Sequence, residues 1–139
     1  MKRFLIILFC VVMLCCGCKD NTIYHWEFEK DASCVTKIEI VEAEDAYTYT
    51  VLKELGLDVI EQLYSDIENL EMTKYGGSLK YPRKKCFVIT FENGEYDIIS
   101  AIESKHMRYD EDGRFVGRNS RFICNAEQFD ALIEKYMVV

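Results

Sequence analysis

The sequence predicts an α+β domain, a curled antiparallel sheet with two helices packed on one face. Three observations carry this. Short stretches that alternate apolar and polar residues recur along the chain and are joined by short turns, which makes consecutive strands antiparallel neighbours. Two stretches, 59–70 and 129–137, place apolar residues at helical spacing instead. Each helix carries a single apolar stripe and needs a single cover, and one sheet face serves both.

The elements follow in order. Tyr24, Trp26 and Phe28 alternate with His25, Glu27 and Glu29, so the three aromatics share one face of an opening strand. Residues 31–33 break it. Thr36, Ile38 and Ile40 oppose Lys37 and Glu39 in a second strand, and 42–45 form a turn. Tyr47, Tyr49 and Val51 alternate with Thr48, Thr50 and Leu52 in a third strand rich in β-formers. Asp58, with Glu61 three residues on, has the spacing of a capping box and opens a helix. Its stripe is Val59, Ile60, Leu63, Tyr64, Ile67 and Leu70, and Asn69 ends it. Residues 70–75 read as a further strand, and 76–82 as a loop closed by Arg83-Lys84-Lys85.

A hairpin follows, with Phe87, Ile89 and Phe91 on one face. Asn93-Gly94 is the preferred pair for a two-residue type I′ turn, and 96–101 return. Residues 105–109 form another strand, Asp110-Glu111-Asp112-Gly113 its turn, and 115–116 and 121–124 the last strand material. Asn125 caps the closing helix with Gln128 at the capping-box position, and the stripe is Phe129, Leu132, Ile133, Tyr136 and Met137. The two halves share a pattern of strands followed by a helix, but their residues do not repeat.

Composition narrows the functional classes. The 139 residues carry a net charge of −7 and one proline. Lys2 and Arg3 account for two of the 17 basic residues, so the chain beyond them is more acidic still. That balance is unsuited to nucleic acid, whose phosphates demand cations. It also repels anionic headgroups, so no basic surface is expected to hold the protein on a membrane. The acidity is concentrated. Residues 20–71 hold 14 acids against three lysines, whereas 72–139 hold 10 acids against 11 bases. Two differently solvated faces account for this. A basic partner or cell-wall cations meeting the acidic part is the sharper alternative.

The front of the chain carries the most specific signal. Lys2 and Arg3 precede thirteen unbroken apolar residues, 4–16, and then Gly17-Cys18. An ordinary membrane-spanning helix needs about 20 apolar residues for a core of roughly 30 Å. A basic start, a short apolar run and a small residue before a cut describe a secretory signal. With cysteine following the small residue, the stretch resembles the bacterial lipoprotein signal, whose box reads leucine, small residue, glycine or alanine, then cysteine. Among Cys15, Cys16 and Cys18, Cys18 is the one preceded by glycine, and Cys15 stands where the pattern has leucine. The resemblance implies cleavage before Cys18, a thioether-linked diacylglycerol on Cys18 and an acylated amine. Two or three acyl chains, at about 0.8 kcal/mol per buried CH₂, give lasting attachment. The chain then divides into a signal peptide (1–17), a lipidated cysteine with a short tether (18–21) and a single α+β domain (22–139). The expected location is the extracytoplasmic face of the cell membrane. An ordinary cleaved signal and a retained short anchor are the alternatives; a metal site built from Cys15, Cys16 and Cys18 conflicts with removal of the leader.

The rest of the chain offers no catalytic constellation. His25 and His106 lie outside any His-Glu-x-x-His or Cys/His zinc spacing. His25 reads as a solvated histidine opposite the aromatics, and His106, among Lys105 and Arg108, as a surface residue. The stretch 110–113 has glycine fourth, where a calcium loop has it sixth, and reads as a turn. Gly76-Gly77-Ser78 lacks the Gly-Lys-Ser/Thr of a phosphate loop. Lys80, Tyr81 and Arg83-Lys84-Lys85 form a basic patch, read as gatekeeping charges before an apolar strand, with teichoic acid or headgroup contact as the alternative. Cys34, Cys86 and Cys124 sit in or beside apolar strands. Buried free thiols are favoured, and one disulfide stays open. No cofactor, metal or catalytic residue is expected.

The domain pattern over most of 22–137 is similar to small domains of Gram-positive lipoproteins, and the resemblance implies no activity. The expected function is therefore a non-enzymatic, membrane-anchored binding or accessory module that meets a protein or peptide through a sheet face or edge. An inhibitor or envelope-stress lipoprotein engaging one enzyme is the alternative. A hydrolase with an unfamiliar site ranks below both.

Overall fold

A computed structural model describes residues 22–44, 48–74, 84–118 and 122–139. Eight strands and two helices run in the order β1 (Val35–Ala43), β2 (Tyr49–Leu55), α1 (Ile60–Glu68), β3 (Met72–Lys74), β4 (Lys84–Phe91), β5 (Tyr96–Ser100), β6 (Lys105–Tyr109), β7 (Phe115–Arg118), β8 (Phe122–Cys124) and α2 (Ala126–Val138). Six strands form one open antiparallel sheet in the order β2-β1-β4-β5-β6-β7, and β3 and β8 pair separately. The α+β class and the placement of both helices on one face hold.

Alternation explains the layering. On β4, Phe87, Ile89 and Phe91 face the helices, together with Ile38 and Ile40 of β1 and Ile99 of β5. Leu63, Tyr64 and Ile67 of α1 and Phe129, Leu132, Ile133 and Tyr136 of α2 complete this core. The Phe87 ring meets Phe129 and Tyr136 edge-on at 6.0 and 5.9 Å. The opposite face holds a smaller cluster of Val41, Cys86, Val88, Ile98 and Met107. Asp66 ties the helices together: Lys135 Nζ and Tyr136 Oη donate to its Oδ2 at 2.6 and 2.7 Å. Lys53 Nζ donates to the Met137 carbonyl at 2.9 Å, a cation at the negative end of α2.

Several local expectations are corrected. The segment 24–28 is not a strand; Tyr24 makes one antiparallel bridge with Met72, and the aromatics still turn inward. β1 continues through Ala43, where a turn is expected from 42. Asp58 does not cap a helix. It lies in a 3-10 turn, Leu57–Val59, and α1 starts at Ile60 without a side-chain cap. Asn93-Gly94 is not a two-residue turn either. Phe91 N donates to Glu95 O at 2.8 Å and Gly94 N to Phe91 O at 2.9 Å, which makes a three-residue loop ending in Gly94 at φ 80°. The β6–β7 loop repeats this device with Gly113 at φ 74°. Asn125 does cap α2, accepting from Glu127 N and Gln128 N. Gln128 does not reach back to it; its Oε1 accepts from Glu71 N at 3.1 Å.

Candidate functional site

Two places in the fold carry polar or apolar groups beyond what packing requires. The first is a buried charged cluster on the helix side of β5 and β6. Register sets Asp97 directly opposite His106, and period two puts Arg108 on the same face. Asp97 is fully buried, and His106 and Arg108 nearly so. Asp97 Oδ1 lies 2.9 Å from His106 Nδ1 and accepts from Arg108 Nη2 at 2.9 Å. Nδ1 of His106 also lies 3.3 Å from Arg108 Nη2, so carboxylate, imidazole and guanidinium meet at one point. Arg108 Nη1 donates to the Tyr96 and Met107 carbonyls, both at 3.1 Å, and Nε to Glu29 Oε2 at 3.1 Å. His106 Nε2 faces Glu29 Oε1 at 3.8 Å.

The segment 22–31 lies over this cluster as a strap. The Trp26 ring covers the His106 imidazole, centroids 4.2 Å apart, and Phe28 stacks on Tyr64 at 3.7 Å. Lys30 Nζ pairs with Glu95 Oε2 at 3.0 Å. Burial pushes the Glu95 carboxyl up, but hydrogen bonds from Asn93, the Tyr109 amide and Lys30 outweigh it and hold it down at about 2. Glu95 is thus a fixed acceptor and a poor general acid. An aspartate on Nδ1 is the arrangement that orients a histidine for proton transfer or metal ligation. Here the imidazole is closed over by Trp26 and Glu29, and the described residues contain no group of three His, Cys, Asp or Glu side chains placed for a metal. The arrangement fastens the strap to the sheet through Arg108 to Glu29 and His106 to Trp26.

His106 is therefore not a surface residue. Its charged neighbours in sequence misled: Arg108 points inward beside it, and its partners Asp97 and Glu29 come from elsewhere in the chain. His25 is exposed, and its Nδ1 lies 3.1 Å from the Leu70 carbonyl. Asp110 serves its own turn, its Oδ1 accepting from Asp112 N at 3.0 Å and Arg114 N at 2.7 Å. Cys86 and Cys124 are buried free thiols and Cys34 is a half-buried one. Lys84 and Lys85 are exposed at the start of β4. Cys15, Cys16, Cys18, the 76–78 stretch, Lys80, Tyr81 and Arg83 lie outside the described residues. Beside the strap, Phe28, Lys30, Asp31, Glu61, Tyr64 and Glu68 are among the residues lining a cleft of about 310 Å³. Its three carboxylates are solvent-exposed.

The second place is β2, an edge strand of the sheet. Among the described residues no strand pairs with its outer N–H and C=O groups, which makes it a template for a further strand. Val51 is 48% and Leu52 40% exposed. β2 is also bulged: Ile40 pairs with Lys53 and Val41 with Val51, so Leu52 has no partner on β1. The strand expected over 47–52 runs on to Leu55, and the bulge that makes this possible is set by pairing with β1 and has no local signal. No described helix is long and apolar enough to cross a membrane. Comparison with protein-family models, curated proteins and solved structures finds no match.

Proposed function

We propose that this chain is a lipid-anchored extracytoplasmic lipoprotein whose domain is a non-enzymatic binding or accessory module for a protein or peptide. The observation that carries the binding part is β2, a seven-residue edge strand with Val51 and Leu52 turned to solvent. The address rests on Lys2-Arg3, the apolar run and Gly17-Cys18. An inhibitor would be favoured by an exposed aromatic patch from Tyr24, Trp26, Tyr47 or Tyr49; Trp26 is buried, Tyr24 and Tyr49 are half-buried, and Tyr47 lies outside the described residues.

The test has two arms. Mass spectrometry of the membrane-extracted protein should show a diacylglycerol-modified Cys18 at the new N-terminus, and Cys18→Ala should move the protein out of the membrane fraction. An unmodified Cys18 on a soluble protein refutes the address. A photo-crosslinker at position 52 in intact cells should then capture a defined partner that one at exposed Glu111 does not. Equal capture at both positions, or none, refutes the binding role of β2.

A further inference from the structure

Register places Glu54 directly opposite Glu39, and Val51 directly opposite Val41. In an unbroken strand, residues three apart point to opposite faces. The bulge at Leu52 removes that offset and brings Glu54 to the face of Val51, away from the helices. Along this face one row runs Glu54, Glu39, Val88, Ile98, Lys105 from β2 to β6. Like charges directly opposite each other on a sheet repel. Glu39 is buried and has Lys37 Nζ 3.1 Å from its Oε2. Glu54 ends the row at the open edge, exposed and next to exposed Val51.

We infer that β2 takes an extended partner segment with a basic residue beside Glu54 and an apolar residue beside Val51, the two spaced two residues apart. This deepens, and rests on, the binding-module reading. Lys37 lies between the charges of Glu39 and Glu54 and hydrogen-bonds the first, so a basic residue beside Glu54 supplies a second cation to a row whose two carboxylates otherwise share one. The spacing is read from β1, which meets the same two positions from inside with Glu39 and Val41. The apolar residue extends the cluster around Val41 to the new edge. Backbone ladder bonds supply affinity, and the two side chains supply selection.

The experiment uses the full chain in neutral detergent and three synthetic probes. One is a twelve-residue repeat of lysine, threonine, valine, threonine, which sets lysine and valine on one face. The second has glutamate for lysine, and the third sets lysine and valine on opposite faces. The first should bind about fivefold more tightly than either other probe. Glu54→Lys, at an exposed position, should reverse the preference toward the glutamate probe, and Val51→Asp should weaken all three. Equal binding of the lysine and glutamate probes, or a preference that survives Glu54→Lys, overturns the inference while leaving β2 as a binding edge. If no probe binds although position 52 captures a partner in cells, the inference fails and the binding-module reading stands. Concentration-dependent dimerisation lost in Val51→Asp makes a second copy the occupant and overturns the inference as well.

Discussion

His106 Nδ1 lies 2.9 Å from Asp97 Oδ1, and the same oxygen accepts from Arg108 Nη2 at 2.9 Å. One buried carboxylate thus serves an imidazole and a guanidinium at once. Asp97→Ala should destabilise the domain by about 3 kcal/mol, because it takes from buried Arg108 its one fully buried carboxylate partner and leaves Glu29 and Glu95. Replacing Asp97, His106 and Arg108 together by apolar residues of similar volume should cost much less, since no charge is then stranded. Urea unfolding followed by circular dichroism measures both. A loss under about 1 kcal/mol for Asp97→Ala would show that Asp97 is not what offsets the burial of Arg108.

Acid should weaken the domain through two carboxylates. At Asp66, burial pushes the carboxyl up, but hydrogen bonds from Lys135, Tyr136 and Gln62 win and hold it below its ordinary value. Glu95 is held at about 2. Both are lower in the folded than in the unfolded chain, so the folded state binds fewer protons. Their contribution is complete above the ordinary carboxylate range, about 3.9–4.3, and is lost as pH falls through the folded values. Urea midpoints should drop between pH 4.5 and 2. The drop should be smaller in the Asp66→Asn, Glu95→Gln double variant, which is already weaker at pH 7. An unchanged acid slope in that variant would assign the effect to other groups.

Helix caps give a paired test. Asn125 accepts from two amides at the start of α2, so Asn125→Ala should cost about 0.5–2 kcal/mol. Asp58 makes no cap bond, and Asp58→Ala should stay within about 0.5 kcal/mol. Thermal unfolding of the two variants side by side separates them. Similar losses would mean that Asp58 caps α1 in solution.

Thiol labelling should follow burial. Burial pushes the Cys86 and Cys124 thiols up to about 12, and Cys124 Sγ also contacts the Ser100 carbonyl at 3.3 Å. In the folded domain, iodoacetamide at pH 8 should reach half-buried Cys34 first and the other two on unfolding. Peptide mapping reads the order. Rapid labelling of Cys86 in the native protein would contradict its burial.

Residue pattern alone determined much of the layering. Leu63 and Ile67, and Phe129, Ile133 and Tyr136, mark helical stripes that end in the core. Phe87, Ile89 and Phe91 mark one face of a central strand, and Asn125 marks a helix start. These depend on spacing and local hydrogen bonding, which neighbours in sequence decide. The charged cluster depends on something else. In Lys105-His106-Met107-Arg108-Tyr109, alternation shows that His106 and Arg108 share a face, and their polarity suggests solvent. They turn inward because Asp97 lies opposite on β5 and Glu29 comes from the strap, 79 residues from Arg108. The bulge at Leu52 likewise exists through the pairing of β1 and β2. Sequence by itself determined which side chains travel together. The tertiary structure decided which of those faces is inside, because burying a charge is tolerable where a distant partner meets it.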